Sequence, residues 1–254
     1  MPRFERNQKL SLLVFLALLF ALITIRFVLA RPENLRDKLI QTLEAQAKGS
    51  FQFQKFELSH FPALSLTARN FSLRSTGGGY YGHLKGDSIK FHLNLVAFLL
   101  GKVELTSFQV ENADLSFSHP VLAEPLFFNQ IRLEVKSLGR RRLADFHFEA
   151  AYADVPDAVL GTGKISCPNA CAWRASEIHA RFEIHQIILS QLQRSFKTGV
   201  DVKITEGLFE GAIQLDKIAG EDPMAIGAKV QAKSLIYQTG EEQNLFKSPS
   251  LTLQ

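Results

Sequence analysis

Most of the motifs and residue types that carry chemistry are absent or scarce in this chain. It has no G-x-S-x-G nucleophile turn, no H-E-x-x-H metal helix and no phosphate loop; "GTGK", residues 161–164, lacks both the upstream glycine and the following Ser or Thr. Catalysis therefore has no anchor in the sequence, and neither an enzyme nor a cofactor is expected. Gly77, Gly79 and Gly82 do stand at G-x-G-x-x-G spacing, but that fingerprint needs a helix leaving the glycines to face a pyrophosphate. These glycines lead instead into the alternating run "SIKFHLNL", so a flexible hairpin connection is expected and no nucleotide. The formal net charge is only +4, and the basic residues are scattered apart from Arg140, Arg141 and Arg142. Nucleic-acid binding needs a concentrated stripe, so it is not expected. The triple arginine reads as a solvated turn, with anionic lipid headgroups as the other partner it suits.

Cysteine is nearly absent, which excludes a disulfide-dense scaffold and leaves one pairing. In "ISCPNACAW", Cys167 and Cys171 are separated by three residues, a spacing that suits two strands joined by a short turn, with facing residues near disulfide distance. A bridge is expected if the domain is exported to an oxidising compartment, and two free thiols are the alternative. Zinc would have to recruit His179 and His185, which stand roughly 20 Å apart on one strand. No metal site is expected, and both histidines belong to a polar face with Glu177, Arg181 and Glu183. Large residues are also unevenly supplied: 21 Phe against one Trp and two Met make phenylalanine the main core filler.

What the chain does have begins with "LSLLVFLALLFALITIRFVLA", residues 10–30. As a helix this run is ~31 Å long, enough to cross a bilayer, with Arg26 near the end where it can snorkel. It reads as a retained anchor; a cleavable signal peptide ending at Ala30 is the rival. Residues 31–49 place Leu35, Leu39 and Leu43 at steps of four, with Pro32 suited to the first turn and Gly49 to the stop. This is an amphipathic helix suited to capping a sheet.

From Phe51 the period changes to two. Alternation runs through "SFQFQKFEL", "PALSLTARNFSLRS", "SIKFHLNL", "KVELTSFQVENADLSF", "IRLEV", "DFHFEAAY", "EIHARFEI" and "VDVKI", then through Phe209, Ile213, Leu215, Ile226, Val230, Leu235 and Tyr237. These predict about a dozen half-buried antiparallel strands, with a bulge where the parity breaks between Ala68 and Phe71. Helix is expected only at residues 95–101 and 185–196. No linker divides the run. The expected fold is mainly β: an elongated, curved antiparallel sheet, a β-groove or open barrel-like form, preceded by a transmembrane helix and a short amphipathic helix. The expected divisions are 1–30 for the tip and anchor, 31–49 for the capping helix and 50–254 for the β region.

The order of elements from Leu10 to Phe117 resembles the N-terminal region of AsmA-like proteins of Gram-negative bacteria. The resemblance rests on the membrane helix followed by "LRDKLIQTLEAQAKG", "FPALSLTARNFSL" and "LNLVAFLLGKVELTSFQVENADLSF". Leu99, Leu100, Gly101 and Lys102 are similar to the family's apolar-Gly-basic step into a strand pair, and Val110, Ala113 and Leu115 to its next strand. The resemblance implies a single-pass inner-membrane anchor, a periplasmic β-groove and a role in phospholipid transport or outer-membrane homeostasis. An apolar groove moves lipid without a catalytic group, because each buried methylene contributes ~0.8 kcal/mol. The residues expected to line it are Phe53, Leu66, Phe91, Leu105, Phe117, Leu133, Phe148, Phe182 and Ile213. Expected partners are inner-membrane phospholipid and other envelope proteins or further copies. The rival reading is an envelope or secretion-system assembly factor, similar to type II secretion protein N, with a packed sheet and no lipid.

Overall fold

The computed structural model describes residues 36, 37, 40, 41, 44, 49–59, 64–77, 80–99, 104–138, 143–153, 155–166, 176–196, 202–219, 224–239 and 244–253. Residues 10–30, Leu35, Leu39, Leu43, Arg140 to Arg142, Cys167 and Cys171 lie outside this set, and so do the expectations placed on them.

The alternating runs form one antiparallel sheet. Its first edge is shared by β1 (Gly49–Gln52) and β2 (Lys55–Ser59), which both pair with β3 (Ser65–Gly77). Next, each beside its predecessor, come β4 (Tyr80–Leu93), β5 (Leu105–Ser118), β6 (Leu126–Lys136), β7 (Ala144–Tyr152), β8 (Val155–Ser166), β9 (Glu177–Ile188), β10 (Val202–Lys217), β11 (Ala225–Thr239) and β12 (Asn244–Leu253). β12 does not return to β1 or β2, so the sheet is open and elongated, not closed into a barrel. Because β1 and β2 share one rank, the sheet spans ten spacings of ~4.8 Å, about 48 Å, shorter than twelve separate ranks would give.

Two helices sit in the connections among the described residues: α1 (Leu95–Leu99) between β4 and β5, and α2 (Leu189–Ser195) between β9 and β10. Asn94 caps α1, its Oδ1 accepting from the Val96 and Ala97 N–H groups at 3.0 and 3.2 Å. The expected helix over 185–196 is confined to its second half, because His185 to Ile188 complete β9. The glycine-rich stretch joins β3 to β4 as a hairpin, as expected. β4 starts at Tyr80 and runs through Gly82 and Gly86, leaving two residues between the strands. Of the preceding helical segment, Ile40 packs against the core and the Glu44 Oε1 accepts the Phe51 N–H at 3.0 Å, which ties it to the first strand.

The parity break expected in β3 recurs along the sheet. Two adjacent polar residues separate apolar ones at Arg69-Asn70, Glu111-Asn112, Asn129-Gln130, His185-Gln186 and Lys233-Ser234, and the second of each pair has φ near +50°. Between β3 and β4 the register does not shift: Arg69 faces Ser88 and Phe71 faces Gly86, with one residue passed over on each strand, so both change parity together. In β5 to β6, β6 to β7 and β9 to β10 the registers do shift at this level. Such bulges bend strands and increase twist, and their alignment across the sheet gives it curvature.

Candidate functional site

The register brings the apolar residues of one face into unbroken lines running across the strands. One line passes through Phe56, Ala68, Ile89, Val110, Leu133, Phe148, Gly161, Phe182, Ile213 and Ala228, from β2 to β11. The next runs through Leu58, Leu66, Phe91, Phe108, Val135, Phe146, Gly163, Ala180, Leu215 and Ile226. Neither contains a polar side chain. The line between them, on the opposite face, includes Glu57, Thr67, Lys90, Gln109, Glu134, His147, Thr162, Arg181 and Gln214. Alternation along each strand has become segregation across the whole sheet.

The apolar face is not uniformly covered. Towards β3 to β5 it is closed: Leu66, Ala68 and Ala113 have no exposure, and Phe71 and Phe91 have 1%. Full burial of such side chains stabilises the fold by about 1.5–3 kcal/mol each for the larger ones. Towards β9 to β11 it opens, and Ile226 in β11 is 64% exposed. In between, Phe148 and Phe182 meet edge-on with centroids 6.4 Å apart, and Phe146 lies 6.2 Å from Phe182. These rings lie over Gly161 and Gly163, where a Cβ would collide with Phe182 and Phe146 respectively.

Of the nine residues expected to line a groove, Leu133, Phe148, Phe182 and Ile213 are consecutive members of one cross-strand line, interrupted only by Gly161, and all are partly exposed. Leu66 and Phe91 face each other in the closed half. Leu105 pairs with Leu93 at one end of β5, Phe117 with Leu126 at the other, and Phe53 sits in the break between β1 and β2, packed against Phe51 and Phe56. Sequence reading passes over Gly161, Gly163 and the whole of β8. The signal available there is that Val159, Gly161, Gly163 and Ile165 keep the period of two with glycine at apolar positions.

The opposite face is laced with ion pairs. Lys136 and Gln109 hold Glu134 at 2.7 and 2.6 Å, and these contacts push its carboxyl below the usual range. His147 does the same to Glu149 at 3.0 Å. Two shallow depressions on this face, about 620 and 610 Å³, are lined by such pairs, the first around Gln109, Arg132 and Glu149, the second around Arg181, Glu210 and Lys229. His179 in β9 bridges the Asp216 carboxylate of β10 at 3.0 Å and Glu177 at 3.1 Å, and both contacts raise its pKa. His185 lies 3.8 Å from Glu183. Among the described residues no group of three or more His, Cys, Asp or Glu is placed to hold a metal ion, and no helix is long and apolar enough to cross a membrane.

Fold and face together define the class: an open, curved antiparallel sheet with one continuous apolar surface suited to groove-type binding. Comparison with known proteins finds no family model, no curated protein and no solved structure that matches the chain.

Proposed function

We propose that the chain binds phospholipid acyl chains along the apolar face of its sheet, held to the bacterial inner membrane by residues 10–30 with the sheet in the periplasm. The observation that carries this reading is the pair of cross-strand lines in which every position from β2 to β11 is apolar or glycine. Hydrocarbon chains need a long unpolar track and no catalytic group, and the partly exposed stretch from Leu133 to Ile226 supplies one. The AsmA-like order of elements over Leu10 to Phe117 supports the same compartment and a part in outer-membrane lipid homeostasis. A span of about 48 Å accommodates a lipid but is short for bridging two membranes, so a partner or further copies complete the route. The test is mass spectrometry of lipids extracted from the purified full chain. Phospholipid at near-stoichiometric amounts is expected, and protein free of lipid after gentle extraction would count against the reading.

A second reading is favoured by a specific observation. The face around β3 to β5 is packed against its own neighbours, with Leu66, Ala68 and Ala113 at zero exposure, which is what a lipid-free assembly factor with a packed sheet needs. It predicts envelope proteins, and no lipid, in the purified material.

A further inference from the structure

The connection between β9 and β10 does not stay with its own strands. α2 reaches back so that Phe196 forms an antiparallel bridge with Leu122, in the β5–β6 connection, and the Ala123 N–H donates to the Ser195 carbonyl at 2.9 Å. Four ranks of the sheet, β6 to β9, separate the two connections. Under this contact Leu192 of α2 packs with Tyr152, Ala158 and Ile187, which are 5%, 0% and 5% exposed. α2 therefore covers apolar surface that is otherwise continuous with the open half of the face.

α2 is short and has no side-chain cap at its N-terminus: it has seven residues, and Ile188 at its N-cap offers no side-chain hydrogen bond. Gln193 accepts the Ile204 N–H at 2.7 Å, but the Gln191 Oε1 is buried with no hydrogen-bond partner. An orphaned buried acceptor favours any state that returns it to water. We infer that α2 and the β5–β6 connection form a clasp over a second, covered apolar site, and that an acyl chain enters beneath α2 when the clasp opens. The inference rests on the lipid reading above, but clasp opening is measurable without lipid.

The test uses the full chain with Cys167→Ala and Cys171→Ala, into which Leu122→Cys and Phe196→Cys are added. Facing residues in such a non-hydrogen-bonded antiparallel pair lie ~4.5 Å apart at Cα, within reach of a disulfide. Vesicles of phosphatidylethanolamine and phosphatidylglycerol carrying a pyrene-labelled phospholipid report loading, and hydrogen exchange reports opening. The oxidised form is expected to load about tenfold more slowly than the reduced form, as for other closures that gate access. In the parent chain, the Ala123 and Ile204 amides should exchange faster than those of Phe182 and Ile213. Gln191→Leu, which removes the orphaned acceptor without a cross-link, should slow both exchange at Ala123 and loading. Equal loading of oxidised and reduced protein, or exchange at Ala123 as slow as at Phe182, overturns the clasp. Failure of every form, the parent included, to take up the probe overturns the lipid reading instead, and exchange at Ala123 still decides whether α2 opens.

Discussion

Gly161 and Gly163 occupy apolar-face positions with no side chain of their own, and their neighbours fill the space. At Gly161 the obstacle to a Cβ is the Phe182 ring at 2.7 Å, which sits on a partly exposed surface and can turn. At Gly163 the obstacles are the His179 carbonyl oxygen and the Ala180 Cα at 2.7 Å, both backbone of β9. Gly163→Ala must therefore push two strands apart, and a destabilisation of about 1–3 kcal/mol is expected, as for other overpacked sites. Gly161→Ala is expected to cost less. Urea unfolding midpoints of the two variants check the order. The same residues explain why β8 is illegible in the sequence: with Pro156 near its start, glycine at two inward positions and Leu160 on the outward parity, Val159 and Ile165 are too few to mark the alternation. β12 escapes sequence reading for a related reason, because Ser248, Pro249 and Ser250 interrupt its alternation.

At the scale of elements, the left-handed residues do what an i to i+2 pattern alone cannot, carrying β3, β5, β6, β9 and β11 through a bend while returning their apolar residues to the same face. Asn112 has φ near +49° and its amide donates to the Asp87 carboxylate. Asn112→Val places a β-branched residue where it is strained, and a loss of about 1–3 kcal/mol is expected, whereas Asn112→Gly should be far milder. Thermal unfolding of the pair tests this. Part of the line is readable in advance, since Ala68 and Phe71 already break parity. The breaks at Asn129-Gln130 and Lys233-Ser234 pass as ordinary polar residues until the neighbouring strand fixes the register.

The β9–β10 pairing also carries a pH dependence. His179 is held above its ordinary 6.5 by hydrogen bonds to Asp216 and Glu177, so its contribution is complete below pH 6.5 and fades as pH rises through the elevated value. Asp216 is held below 3.8, chiefly by His179, so its contribution is present above pH 3.8 and fades as pH falls. Lys164 of β8 faces His179 from the other side, and its Nζ lies 4.0 Å from the Asp145 carboxylate. The β9–β10 pairing is thus expected to be strongest between those two values. His179→Ala should flatten the fall in stability as pH rises above 6.5, measured as unfolding midpoint against pH. The effect should be small, because the pair is exposed.

On the scale of the whole molecule, the decisive feature is segregation: one face carries unbroken apolar lines from β2 to β11, closed towards β3 to β5 and open towards β11. The two halves call for different experiments. A charge at Phe91 or Leu66 falls where exposure is 1% or less and probes folding. A charge at Phe182 or Ile213 falls on the partly exposed stretch and probes binding. The most direct measurement is therefore the amount of phospholipid retained by the full chain carrying Phe182→Asp and Ile213→Asp, with circular dichroism as the check that the sheet is intact. Carboxylates against an acyl chain and without partners cost roughly several kcal/mol, so the folded variant should lose most of its phospholipid. A variant that is folded and keeps parental amounts of phospholipid would contradict binding along this face.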